Sequence, residues 1–112
     1  DALFIEFSDG QAYTLPAEYL RVYSPSAEVR GHGTGNETLQ FGKRNVTITS
    51  LVQAGNYALQ ITFSDGHDSG IYGWDYLKEL GKTHEQKWSV YLQKIHQAGL
   101  SRDIDSQVIK LV

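Results

Sequence analysis

The chain has 112 residues, of which 40% are hydrophobic, with two Trp, seven Tyr and four Phe, so it is too apolar for a disordered protein and long enough for one modest core. Ten Lys and Arg against thirteen Asp and Glu give a net charge of −3, with no basic stripe, which argues against nucleic acid or an anionic membrane as the main partner. No cysteine is present, excluding disulfides, thiolate metal ligands and thiol nucleophiles, and the chain is expected to be cytoplasmic.

Leu3, Ile5 and Phe7 alternate with Phe4 and Glu6, Ser8-Asp9-Gly10 supplies a turn, and the extended pattern resumes over Ala12 to Leu15. This predicts a β-hairpin. Pro16 then suits the start of a short helix from Ala17 to Val22, because its missing N–H needs no partner there. From Ser24 to Glu37 no period would bury a face, and a long loop is expected. Leu39–Phe41, Val46–Leu51 and Tyr57–Phe63 read as three further strands, joined through Gly42 to Asn45 and through Gly55-Asn56.

A second turn, Ser64-Asp65-Gly66, leads to an extended piece at Gly70 to Tyr72 and then to a helix from about Trp74 to Leu80, expected to close at Gly81. Hairpin followed by helix thus occurs twice. Pairing Phe7-Ser8-Asp9-Gly10 with Phe63-Ser64-Asp65-Gly66, and allowing one extra residue in the second copy, also pairs Glu18-Tyr19-Leu20 with Asp75-Tyr76-Leu77. Thr83 and Gln86 form a capping box for a last helix whose core stripe is Trp88, Tyr91, Leu92 and Ile95. The tail from Ser101 to Val112 is apolar enough to pack on the sheet or on another chain. The expected architecture is α+β: one domain over residues 1–112, built on a twisted antiparallel sheet of about six short strands with hairpin–helix units and a C-terminal helix.

Several constellations invite chemistry. His67-Asp68-Ser69 holds the three residue types of a hydrolytic triad, but neighbours along an extended chain point alternately to opposite sides and cannot form the relay. Asp65-x-His67 has the wrong order for a two-histidine, one-carboxylate iron site. Gly31-His32-Gly33-Thr34-Gly35 lacks the strand, helix and Gly-Lys-Ser/Thr ending of a phosphate loop. Glu28, His32 and His67 have the oxygen and nitrogen donors for a divalent ion such as zinc, although their spacing does not demand one.

Three stretches carry a family resemblance. They are Leu20-Arg21-x-x-Ser24-Pro25-Ser26-Ala27-Glu28-Val29-Arg30-Gly31-His32-Gly33, Gly55-Asn56-Tyr57-Ala58-Leu59-Gln60-Ile61, and Phe63-Ser64-Asp65-Gly66-His67-Asp68-Ser69-Gly70-Ile71-Tyr72-x-Trp74-Asp75-Tyr76-Leu77. Together they resemble the gamma-butyrobetaine hydroxylase-like N-terminal domain family, mostly small bacterial proteins of unknown function. In that family the domain precedes the oxygenase domain of gamma-butyrobetaine and trimethyllysine hydroxylases and is also fused to P-loop iron–sulfur cluster carriers. The resemblance implies no catalytic residue, iron site or oxoglutarate site in this chain.

It does imply a zinc position. Hydroxylase members hold zinc through three cysteines after the Leu-Arg motif and the histidine of Asp-Gly-His, which His67 matches. The cysteine positions fall near Ser24, Ser26 and Val29, and neutral hydroxyls are poor zinc ligands. The favoured expectation is a hydrogen-bond network of Ser24, Ser26 and His67 that ties the long loop to the second hairpin, with no cofactor. The alternative is a small zinc-binding protein in which Glu28 and His32 are substitute ligands for His67. Function is accordingly expected to be non-catalytic: an accessory or protein-interaction domain for an oxygenase or an iron–sulfur carrier, with His32, His67, Tyr72 and Trp74 as its contact surface. The oligomeric state is left open by the sequence.

Overall fold

The computed structural model describes residues 1–31 and 37–104. Over these the chain is α+β, with strands β1 (Ala2–Glu6), β2 (Ala12–Pro16), β3 (Ile48–Ala54), β4 (Ala58–Phe63) and β5 (Gly70–Gly73), and helices α1 (Ala17–Val22), α2 (Ala27–Arg30), α3 (Trp74–Lys82) and α4 (His84–Gln97). The strands make two antiparallel sheets, the hairpin β1–β2 and the three-stranded β3–β4–β5, rather than the single sheet of about six strands expected from the sequence.

The missing strand is Leu39–Phe41. Its surroundings find backbone partners outside any ladder: Thr38 N–H donates to Val29 O at 2.7 Å, Gly42 N–H to Ser101 O at 2.8 Å, and Gln40 O accepts the Tyr91 hydroxyl at 2.9 Å. A segment whose main chain is satisfied by a helix end, the C-terminal segment and a side chain has no need of a neighbouring strand. The expected long loop also holds the one-turn helix α2.

The principal core is shared by both hairpin–helix units: Leu3, Leu15, Tyr19 and Leu20 from the first, with Ile61, Phe63, Tyr72, Leu77 and Leu80 from the second. A smaller cluster, Val22, Tyr91 and Ile95, fastens α4 to the end of α1. The predicted stripe of α4 holds for Tyr91 and Ile95, while Leu92 lies on the solvent side.

Two terminators act differently from expectation. Gly81 is inside α3, where a β-carbon would stand 2.4 Å from the Tyr13 ring, so this glycine permits helix and hairpin to approach. Thr83 occupies the N-cap of α4 but makes no capping bond to it. Its hydroxyl donates back to Glu79 O at 2.7 Å and closes α3 instead.

Candidate functional site

The site grows from the turn after β4. Gly66 adopts φ 88°, a left-handed conformation in which a side chain is strained, and its N–H donates to Phe63 O at 2.9 Å. Phe63 N–H donates to His67 O at 2.9 Å, and Asp65 Oδ1 accepts His67 N–H at 3.2 Å. These bonds fix the backbone of His67, whose ring lies inside the protein, whereas Asp68 and Ser69 are exposed. The sequence-adjacent histidine, aspartate and serine are therefore not brought together.

His67 meets the segment that leaves α1. Its Nε2 lies 2.8 Å from Ser24 Oγ and 3.3 Å from Ser26 Oγ, and its Nδ1 lies 3.3 Å from Glu28 Oε2. Glu28 fixes the tautomer: a proton on Nδ1 faces the carboxylate, leaving Nε2 to accept from the Ser24 hydroxyl, with Ser26 a longer second donor. The His67 side chain is buried and Ser24 is fully buried, whereas the Glu28 side chain is 72% exposed. Burial lowers the pKa of His67, the Arg21 charge lowers it further, and Glu28 and Asp65 oppose them.

An ion cluster braces the same turn. Asp65 Oδ2 accepts from Arg21 Nε at 2.9 Å and from Lys43 Nζ at 2.7 Å, binding α1 and the segment before β3 to the second turn. Burial alone would raise the Asp65 pKa; Lys43, the His67 N–H and Arg21 outweigh it and bring it to about 2. Arg21 and Lys43 escaped the sequence reading. The available signal was a basic residue on a helix short enough to be buried on every side, since all six residues of α1 are buried.

Serine, histidine and carboxylate in this order have the connectivity of a nucleophile relay. Access is what separates it from a working one, because the Ser24 hydroxyl lies wholly inside the protein. The donors also do not fit zinc. One imidazole nitrogen faces two neutral hydroxyls, and the carboxylate lies against the other ring nitrogen, so Glu28 and the serines cannot converge on one ion at His67. Among the described residues no group of three or more His, Cys, Asp or Glu side chains is placed to hold a metal. His32 lies outside the described residues.

The anticipated contact residues separate in the same way. Tyr72 is fully buried, its hydroxyl donating to Leu20 O at 2.6 Å, and like His67 it has no side-chain surface to offer a partner. Trp74 is half-buried, with Nε1 donating to Asn56 O at 2.9 Å.

The family model described as gamma-butyrobetaine hydroxylase-like, N-terminal, matches residues 1–78. The chain belongs to this family. The chain is similar to a protein whose structure was solved by NMR in solution, 50% identical, with TM-score 0.84 over 99% of this chain and 87% of that one. A second NMR solution structure is 43% identical, with TM-score 0.78 over 99% and 83% of the two chains. A crystal structure at 1.93 Å, from Acidithiobacillus ferrooxidans, is of a protein of unknown function in the DUF971 family; it is 35% identical, with TM-score 0.59 over 71% and 79%. No match is found among curated proteins. Among the described residues no helix is long and apolar enough to cross a membrane.

Proposed function

We propose that this domain is a non-catalytic accessory module that works by contact with a protein partner, an oxygenase or an iron–sulfur carrier of the kinds with which the family's domain is fused. The observation that carries the reading is an apolar strip on the open face of the three-stranded sheet. Val52 of β3 and Ile71 of β5 flank Gln60 in register and are 53% and 41% exposed, with Tyr57 exposed in the β3–β4 turn. An uncharged strip of this kind on a small domain is a contact surface in want of a cover. The proposed surface thus replaces the buried His67 and Tyr72, and Trp74, which packs against the core, with Val52, Tyr57 and Ile71.

The sealed Ser24 hydroxyl supports the non-catalytic half of the reading, since a nucleophile must reach its substrate. Two measurements test the proposal. Titrating the labelled domain with a purified P-loop iron–sulfur carrier or hydroxylase catalytic domain should move the amide resonances of Val52, Tyr57 and Ile71, and Val52→Glu with Ile71→Glu should abolish the effect. Turnover of p-nitrophenyl acetate should be the same for wild type and Ser24→Ala; turnover that depends on Ser24 would overturn the non-catalytic reading.

A further inference from the structure

Next to the His67 network, with Ser24 common to both, the end of α1, helix α2, the segment 37–40, and helices α3 and α4 surround a cavity of about 640 Å³. That is within the range of small-molecule sites. Its apolar lining comes from Val22, Val29 and Leu39. Tyr23, Tyr76 and Tyr91 add their rings, and their hydroxyls are already committed, donating to the main-chain oxygens of Lys87, Tyr23 and Gln40. These tyrosines therefore contribute shape and apolar surface while their O–H donors are engaged elsewhere.

The polar recognition comes from cations. Among the described residues Arg30, Lys82, Lys87 and Lys94 have no carboxylate within ion-pair distance, and three of these four line this one cavity. Arg30 lies over the Tyr76 ring and Lys87 over the Tyr23 ring, so both are held at the cavity wall by aromatic faces rather than by acids. Among the described lining residues Glu37 is the single carboxylate, and it is exposed. A chain with a net charge of −3 thus gathers three cations that have no acidic partner among the described residues around this cavity.

We infer that this cavity binds a small organic anion with an apolar body, a carboxylate or phosphate head held by Arg30, Lys87 and Lys94 over an apolar part seated on Val22, Val29 and Leu39. Cations at the rim of an apolar floor, Lys87 partly buried and Arg30 and Lys94 exposed, favour such a ligand over both a bare inorganic anion and a neutral hydrocarbon. This goes beyond the partner surface proposed above, which lies on the sheet, and either proposal can fail without the other.

Heteronuclear NMR titration of the intact chain tests it, with 1-naphthylacetate and 1-naphthyl phosphate as anionic probes and 1-naphthaleneacetamide as the neutral one. The expected result is saturable shifts at Leu39, Tyr91 and Lys94 with at least one anion, about tenfold weaker binding of the neutral probe, and loss of affinity in rising salt. Which anion binds more tightly distinguishes a carboxylate head from a phosphate. The double variant Lys87→Gln/Lys94→Gln should weaken the anion about tenfold with an unchanged melting curve, while Lys82→Gln, which removes the unpaired cation outside the cavity, should leave binding unaltered. Equal binding of anionic and neutral probes, equal loss in the Lys82 variant, or no saturable shift at low millimolar concentration overturns the inference.

Discussion

The two hairpin–helix units are built on one plan and put to different uses. In each, the turn glycine has a left-handed backbone, with φ 90° at Gly10 and 88° at Gly66, and donates to the phenylalanine of the turn at 2.9 Å. Each turn aspartate accepts the N–H two residues on, at 3.0 Å from Gln11 and 3.2 Å from His67. The helices then exchange contacts reciprocally. The Tyr19 hydroxyl donates to Leu80 O at 2.7 Å, and the equivalent Tyr76 hydroxyl donates to Tyr23 O at 2.6 Å. Arg21 of α1 reaches the second turn's Asp65, and the equivalent Lys78 of α3 reaches the first turn's Asp9. Such reciprocity is what a duplicated unit packed about an approximate twofold axis would give, and it accounts for a core drawn from both halves.

The symmetry breaks at the residue after the turn. Gln11 is exposed, whereas His67 is buried, because Ser24, Ser26 and Glu28 of the segment after α1 pack on it. One copy is a plain turn and the other a latch for a loop. The largest effect that should break the comparison is therefore truncation at this position. His67→Ala removes the partner of the buried Ser24 hydroxyl and leaves a void, and should cost about 3 kcal/mol in urea denaturation. Gln11→Ala should change stability by less than about 0.5 kcal/mol. Equal effects would show that the loop is held elsewhere.

Next comes the turn charge, isolated by Asp→Asn, which keeps an oxygen to accept the main-chain N–H in both turns. Asp65→Asn deprives the buried Arg21 and Lys43 of their anion and should cost about 2 kcal/mol. Asp9→Asn loses only the surface contact to Lys78 and should barely move the urea midpoint. The reciprocal tyrosines sharpen the comparison from the other side: Tyr19→Phe and Tyr76→Phe each remove one equivalent hydroxyl bond, and each should cost about 1 kcal/mol. A difference much larger than that between them would mean that the helices are not equivalently packed.

Much of this plan was legible in the sequence because its signals are local. The repeated Phe-Ser-Asp-Gly, the alternation around it and the serine–histidine meeting implied by the family resemblance all survive in the structure. What was not legible depends on distant partners. Leu39–Phe41 has the composition of a strand, but its neighbours bond to Ser101 and Val29 rather than to a ladder. Gly81 has the composition of a stop, but the Tyr13 ring across the core decides its role. Tyr72 is expected in the contact surface from its place just after the second turn, but it lies on the inward face of β5, and periodicity gives alternation without saying which face is inward.

The smallest expected effect is the dependence of the latch on pH. Burial holds the folded pKa of His67 below the ordinary imidazole value of about 6.5, so between these two values the unfolded chain binds the proton and the folded chain does not. Stability from this residue is thus complete above about pH 6.5 and falls as the pH drops toward the folded pKa. Asp65, brought to about 2, stays ionised across that interval, so a loss of stability there belongs to the histidine. Protonation would also turn Nε2 from acceptor to donor, forcing the Ser24 and Ser26 hydroxyls to reverse. Urea midpoints taken from pH 7.5 to 5 should decline for wild type and for Gln11→Ala alike, and the decline should be shallower in His67→Gln, whose side chain cannot titrate. An equal decline in His67→Gln would assign the pH dependence to other groups and leave the latch insensitive to protons.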